Sequence, residues 1–205
     1  MNISTDDLDT AVRNLTAKGY RAARFATMAE AVDYIDSCID GRSVAFGGSV
    51  TLLDAGLFDR IASHNTVLWH WKEERLTREE LEAEVRKADI YISSVNALTL
   101  GGEIVNIDGV GNRTSAIEHG HGKVFLLAGR NKLTADIDRA VHRARNVAAP
   151  LNARRLGKRT PCAAKADRCY DCDSPERICR ILSILWRCPM RAQIEVLLVD
   201  EDAGC

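Results

Sequence analysis

Cys162, Cys169, Cys172 and Cys179 follow one another with the spacing C-x6-C-x2-C-x6-C, and the central C-x2-C pair is the chelating unit of zinc and iron-sulfur sites. Thiolates crowded in this way point to a metal, zinc or a four-iron cluster, which ligand count alone does not separate. Two other chemistries fit the same residues: a reversible dithiol, and four reduced structural thiols. Ser174, Pro175 and Glu176 read as a helix start, with Ile178, Ile181, Leu182 and Leu185 as its buried stripe. Cys172 would then lie where helix-end potential favours a thiolate.

A second constellation is built for anions. The apolar run Ser43 to Phe46 enters Gly47, Gly48, Ser49 and Thr51, and Leu52, Leu53 and Leu57 suggest a following helix. In a strand, glycine turn, helix arrangement the backbone amides can hold a phosphate or carboxylate, with the hydroxyls as further donors. The plain alternative is a tight turn with a serine cap. Downstream, Asn96, Glu103, Asn106, Asp108, Asn112 and Arg113 surround two apolar runs, so these polar groups need partners. They are expected to line the carboxyl edge of a sheet, with Glu103 or Asp108 as a candidate general base; an Asx-turn network around Gly109 and Gly111 is the alternative. Asn131 and Lys132, just after the run ending at Ala128, face the same edge and can neutralise an anion in the glycine loop. His119 and His121 form a His-Gly-His turn without a nearby third ligand and read as surface residues.

The elements that must position these groups alternate along the chain. Thr5 to Lys18 places Leu8, Val12 and Leu15 on one helical face, and Thr27 with Glu30, then Thr77 with Glu80, are capping boxes opening two further helices. Ser43–Phe46, Thr66–His70, Asp89–Ser93, Glu103–Ile107, Lys123–Ala128 and Ile194–Val199 read as strands, several apolar on both faces, which indicates a largely parallel sheet covered by helices on both sides. Asp136 to Val147 reads as a helix, and the basic stretch from Pro150 to Pro161 as the one candidate linker. Trp69 and Trp71 are read as core, with a contact between copies in a homo-oligomer as the alternative.

Residues 1–205 are expected to form a single domain, large enough to bury roughly 70% of the extended chain's surface without disulfides. With 28 Lys+Arg against 29 Asp+Glu, nothing calls for a nucleic-acid or anionic-membrane partner. The acidic stretch from Met1 to Asp9 is unlike a secretory leader, and no 18-residue apolar run exists to cross a bilayer. The expectation is a soluble cytoplasmic protein whose thiols stay reduced unless a metal or redox cycle uses them.

Taken together, Phe46-Gly47-Gly48-Ser49 with Thr51, Ser94 to Thr99, Gly102-Glu103, Val105 to Gly109 with Gly111-Asn112-Arg113, Gly129 to Lys132, Ala149 to Ala153 and Thr160-Pro161-Cys162 resemble the LUD-domain, or lactate-utilisation, family over essentially the whole chain. The resemblance implies a Rossmann-like three-layer α/β fold of the kind found in glucosamine-6-phosphate deaminases, ribose-5-phosphate isomerases and CoA transferases, with the glycine loop near the ligand. It also implies a part in an iron-sulfur-dependent system that oxidises lactate to pyruvate, with a small anionic metabolite as ligand and an oxidoreductase subunit as partner. A sugar phosphate or CoA ester, handled by a self-sufficient isomerase, hydrolase or transferase with a structural cysteine site, is the alternative. The chain departs from the family pattern at His119-Gly120-His121-Gly122, where a proline-containing turn is expected. It also lacks the cysteine-rich extension of the larger lactate-utilisation subunit, so any cluster must use Cys162, Cys169, Cys172 and Cys179.

Overall fold

The computed structural model describes residues 3–205; Met1 and Asn2, where the acidic stretch begins, lie outside the described residues. From the N-terminal side the elements are α1 (Thr5–Ala17), β1 (Arg21–Phe25), α2 (Met28–Ser37), β2 (Ser43–Phe46), α3 (Val50–Asp54), α4 (Leu57–Ala62), β3 (Thr66–Trp69), α5 (Arg78–Val85) and β4 (Ile90–Ser93). They continue with β5 (Ala97–Thr99), β6 (Ile104–Asp108), α6 (Asn112–Glu118), β7 (Lys123–Gly129), a 3-10 turn (Arg130–Lys132), β8 (Leu133–Thr134), α7 (Ile137–Arg143), a π-helical turn (Ala144–Ala148), α8 (Ala149–Arg155), α9 (Pro161–Lys165), β9 (Ile181–Leu185) and β10 (Ile194–Val199).

Six strands form one wholly parallel sheet in the order β1-β10-β7-β4-β2-β3. Its two faces belong to two cores. Along β10, Val196 and Leu198 pack with Leu8, Leu15 and Leu126 on the α1 side, while Leu197 and Val199 pack with Ile35, Leu52 and Phe125 on the α2 to α4 side. Alternation of side chains on a strand buried from both directions gives an apolar residue at nearly every position. This is the three-layer α/β architecture expected from the sequence. The capping boxes at Thr27 and Thr77 are formed, and Ser4 with Asp7 makes a third at α1. Among the described residues no helix is long and apolar enough to cross a membrane.

The structure corrects several readings. A second, mixed sheet in the order β8-β5-β6-β9 carries β6, which pairs antiparallel with β5 and β9 and stands outside the parallel sheet. The segment read as a helix from Ser174 through Leu185 instead turns at Pro175–Glu176 and runs into β9. Its apolar spacing suits a helix, but Ile181–Leu185 covers the otherwise open edge of β6, and that pairing outweighs local periodicity. The candidate linker is helical as far as Arg155, because α7, the π-turn and α8 run on without a break. Pro150 has no N–H for the residue four back, and the widened turn immediately before α8 accommodates that loss.

Candidate functional site

A cavity of about 1220 Å³ opens beside the carboxyl ends of β2, β3 and β4, where parallel sheets bind ligands. Of the sequence-predicted residues, Gly47, Gly48, Ser49, Thr51, Asn96, Asp108, Asn112, Arg113 and Lys132 line it. Glu103, Asn106 and Asn131 do not. Glu103 faces away, bound to Lys18 of α1 at 2.8 Å and to the Thr99 hydroxyl; although burial opposes it, those partners hold its carboxyl below the usual range. It ties the second sheet to α1, and it lies outside the cavity where a general base would have to act. Asn106 is buried behind the wall, where its Oδ1 accepts from the Asn96 amide. Asn131 holds the C-terminal segment, donating to Gly204 O and accepting from Ala203 N.

The glycine loop owes its glycines to packing. A Cβ on Gly47 would lie 2.6 Å from Ser93 Oγ and 2.7 Å from Tyr91 Oη, and one on Gly48 would lie 2.9 Å from His70 Cε1. Gly47→Ala is therefore expected to destabilise the fold by roughly 1–3 kcal/mol, read as a lower denaturation midpoint in guanidinium at unchanged slope. The helix after the loop is also shorter than its leucines suggest: α3 ends after five residues, and Gly56 in the left-handed region starts α4. So short a helix adds little field at its N-terminus. The Ser49 hydroxyl caps it through the Leu52 amide.

Positive charge comes instead from the floor. Lys132 is 3% exposed, and its Nζ donates to Thr51 Oγ1 at 2.7 Å and Ser94 Oγ at 2.8 Å. Burial, reinforced by Arg143 and Arg113, brings its pKa down from 10.5 to about 7. Arg113, on α6, donates to Ser94 O, Asn96 Oδ1 and Ile107 O, and burial lowers its pKa as well. Arg143, from α7, reaches Asn131 O at 2.8 Å and Asn96 O at 2.6 Å. Cys205 and Asp202 of the C-terminal segment bring negative charge towards these groups, and the carboxylate of Asp108 accepts from the amides of Val110, Gly111, Arg113 and Thr114. Burial raises its pKa, but those amides together with Arg113 outweigh it and keep the group ionised. Asp108 is thus the anchor of the β6–α6 turn, the Asx network named as an alternative, and a saturated acceptor makes a poor base.

Ser94 and His70 also line the cavity, and Arg143 braces its wall through Asn96 O, although no local motif in the sequence marks any of the three as a site residue. Ser94 joins the two cations, with its hydroxyl on Lys132 and its carbonyl on Arg113. His70 lines the cavity beside Gly48, and burial, then Arg78 and Arg155, favour its neutral form. Trp69, with 1% of its surface exposed, is core as expected; Trp71 stacks on it at 5.0 Å and lines the cavity, with the Arg155 guanidinium 4.7 Å over its ring. His121 corrects the surface reading, since it is buried, stacked on Tyr91 and bonded to Ala88 O.

The cysteine segment does not converge. Its four thiols are free and partly exposed, and among the described residues no three of His, Cys, Asp and Glu come together so as to hold a metal ion. Cys162 lies in α9, and Cys169 is fixed by its amide to Asn146 Oδ1. Arg177 donates to the Cys172 and Cys179 carbonyls and pairs with Asp171, which also pairs with Arg145. Since no helix begins after Cys172, the field invoked for its thiolate is absent. As arranged here, this donor set does not fit a cluster or a zinc ion.

A model of the LUD domain matches residues 8–199. The chain belongs to the LUD-domain family. Its structure is similar to that of a DUF162 family protein from Deinococcus radiodurans, with a TM-score of 0.57 at 14% identity over 96% of this chain and 99% of that one. A weaker likeness, TM-score 0.30 at 14% identity, is to ribose 5-phosphate isomerase from Plasmodium falciparum, covering 53% of this chain and 52% of that one. No curated protein matches the chain. LUD membership and the α/β fold thus agree with the motifs from Phe46 to Lys132.

Proposed function

We propose that this LUD domain binds a small carboxylate in the system that oxidises lactate to pyruvate, and that an oxidoreductase partner subunit takes the electrons. One observation carries the reading: Lys132 and Arg113 line the cavity with Arg143 close by, their side chains bonded to hydroxyls, an amide oxygen and backbone carbonyls and in no carboxylate ion pair among the described residues, while Asp108 is already filled with amide donors. Buried positive charge without a full counter-charge favours an anionic ligand. Gly48, Ser49 and Thr51 border the same floor and would orient it.

A specific feature supports the sugar-phosphate or CoA-ester alternative. The cavity is far larger than lactate, and its lining also carries Arg155, Lys158 and Arg180, further cations that a longer polyanion could engage. Thermal-shift titration separates the two. Lactate or pyruvate at about a hundred times Kd should stabilise the protein by roughly 2.7 kcal/mol. Stabilisation by ribose 5-phosphate or CoA, with none by the small acids, would replace the first reading with the second.

A further inference from the structure

The geometry around Lys132 points to more than charge. A protonated lysine has three N–H donors and no lone pair; a neutral one has two donors and one lone pair. Lys132 Nζ has two hydroxyl acceptors, Thr51 Oγ1 at 2.7 Å and Ser94 Oγ at 2.8 Å, and makes no ion pair among the described residues. The pocket therefore satisfies the neutral amine completely and leaves its lone pair free. The residue also lines the cavity beside Gly204 and Cys205 of the C-terminal segment, so a ligand seated there would lie next to Nζ. Buried amines without an acidic partner are the form in which lysine acts as a nucleophile.

We propose that Lys132 forms an imine with 2-oxo acids in this cavity, Arg113 receiving the carboxylate while the carbonyl carbon faces Nζ. The inference rests on the anion-site reading above and names its substrate class. In the step, the Nζ lone pair attacks the carbonyl carbon and an N–C bond forms as the C=O π bond opens. The oxygen then leaves as water, carrying the two protons the amine gives up, and a C=N bond remains. No oxidant or reductant is required. The Ser94 and Thr51 hydroxyls, 3.5 Å apart and both on Nζ, are placed to pass those protons. Ser94 fixes the relative position of the two groups, because its carbonyl accepts from Arg113 at 3.2 Å. The charged and titratable groups that face Lys132 are Arg143 from α7, Cys205 from the C-terminal segment and Arg113 from α6; burial and the two arginines favour the neutral amine, and Cys205 favours the charged one.

The test is reductive trapping of the whole chain with pyruvate and cyanoborohydride near neutral pH, followed by intact mass and peptide mapping. One reduced adduct on the peptide carrying Lys132 is expected, formed at least tenfold faster than on Lys72, Lys87 or Lys158. Acetone, a carbonyl without a carboxylate, should label Lys132 at least tenfold more slowly than pyruvate, and lactate, without a carbonyl, should not label it. Lys132→Arg should give no adduct at this position, and the wild-type peptide map decides the matter even if that variant folds poorly. Absence of an adduct at Lys132, or equal labelling of all lysines, overturns the proposal. A pyruvate thermal shift run alongside tells which reading failed: stabilisation without an adduct removes only the imine, whereas neither result removes the carboxylate site as well.

Discussion

Replacing Asp108 by alanine is expected to lower the melting temperature by roughly 10 °C, because removing a buried carboxylate that satisfies several donors costs about 3–5 kcal/mol and each kcal/mol moves a chain of this size by about 2–4 °C. The four amides at the β6–α6 turn lose their acceptor at once, and Arg113 is left buried without its nearest anion. Asp108→Asn keeps one acceptor oxygen and should fall between the two. The sign of the pH dependence follows from the lowered carboxyl pKa: the contribution is present above the ordinary value of 3.8 and is lost as the pH falls through the lower, folded value. The gap between wild type and Asp108→Asn, followed by differential scanning calorimetry, should close at that acid end. A wild-type-like melting temperature for Asp108→Ala would mean the turn is held by something other than this carboxylate.

The second large effect runs the other way for stability and function. Lys132→Met should make the protein roughly 1–3 kcal/mol more stable at pH 6, since a buried charge in no ion pair is replaced by an apolar chain of similar length, even after Thr51 and Ser94 lose a partner. It should also weaken carboxylate binding roughly 10- to 100-fold. The folded pKa of Lys132, about 7, lies below its ordinary 10.5, so between those values the unfolded chain keeps a proton that the folded chain has released. Wild-type stability should therefore rise with pH across that window, and the rise should be missing in Lys132→Met. Urea titrations at pH 6 and pH 9 read both statements, and a variant that binds pyruvate as well as wild type would remove Lys132 from the site.

The parallel sheet is legible in the sequence because β2, β4, β7 and β10 are apolar at almost every position, a pattern that burial on both faces demands. β1 is hidden by Arg21 and Arg24, which an edge strand can carry on its exposed side. β5 and β8 are three and two residues long, too short to show any period, and β9 carries a helical period that its pairing with β6 overrides. At the site, the glycine loop and the Asp108–Arg113 turn are visible because each is a local motif. Arg143 is not, since it reaches the Asn96 carbonyl across 47 residues of chain from a helix whose own sequence gives no sign of it. The four cysteines mislead for the same reason: spacing says which thiols are near in sequence, and the loop from Ala166 to Arg180 decides which are near in space.

The place of β10 in the sheet bears on how the molecule is made. It is the last strand among the described residues, yet it lies between β1 and β7, with Arg21 opposite Glu195 and Val124 opposite Ile194. During synthesis β1 therefore leaves the ribosome long before β10, the strand it pairs with among the described residues, has been made. Until residues 194–199 emerge, β1 has no neighbour and one edge of β7 stays open, with apolar surface from both cores uncovered. Closure of the sheet thus waits until residues 194–199 have been made, which lengthens the time its strand edges stand unpaired.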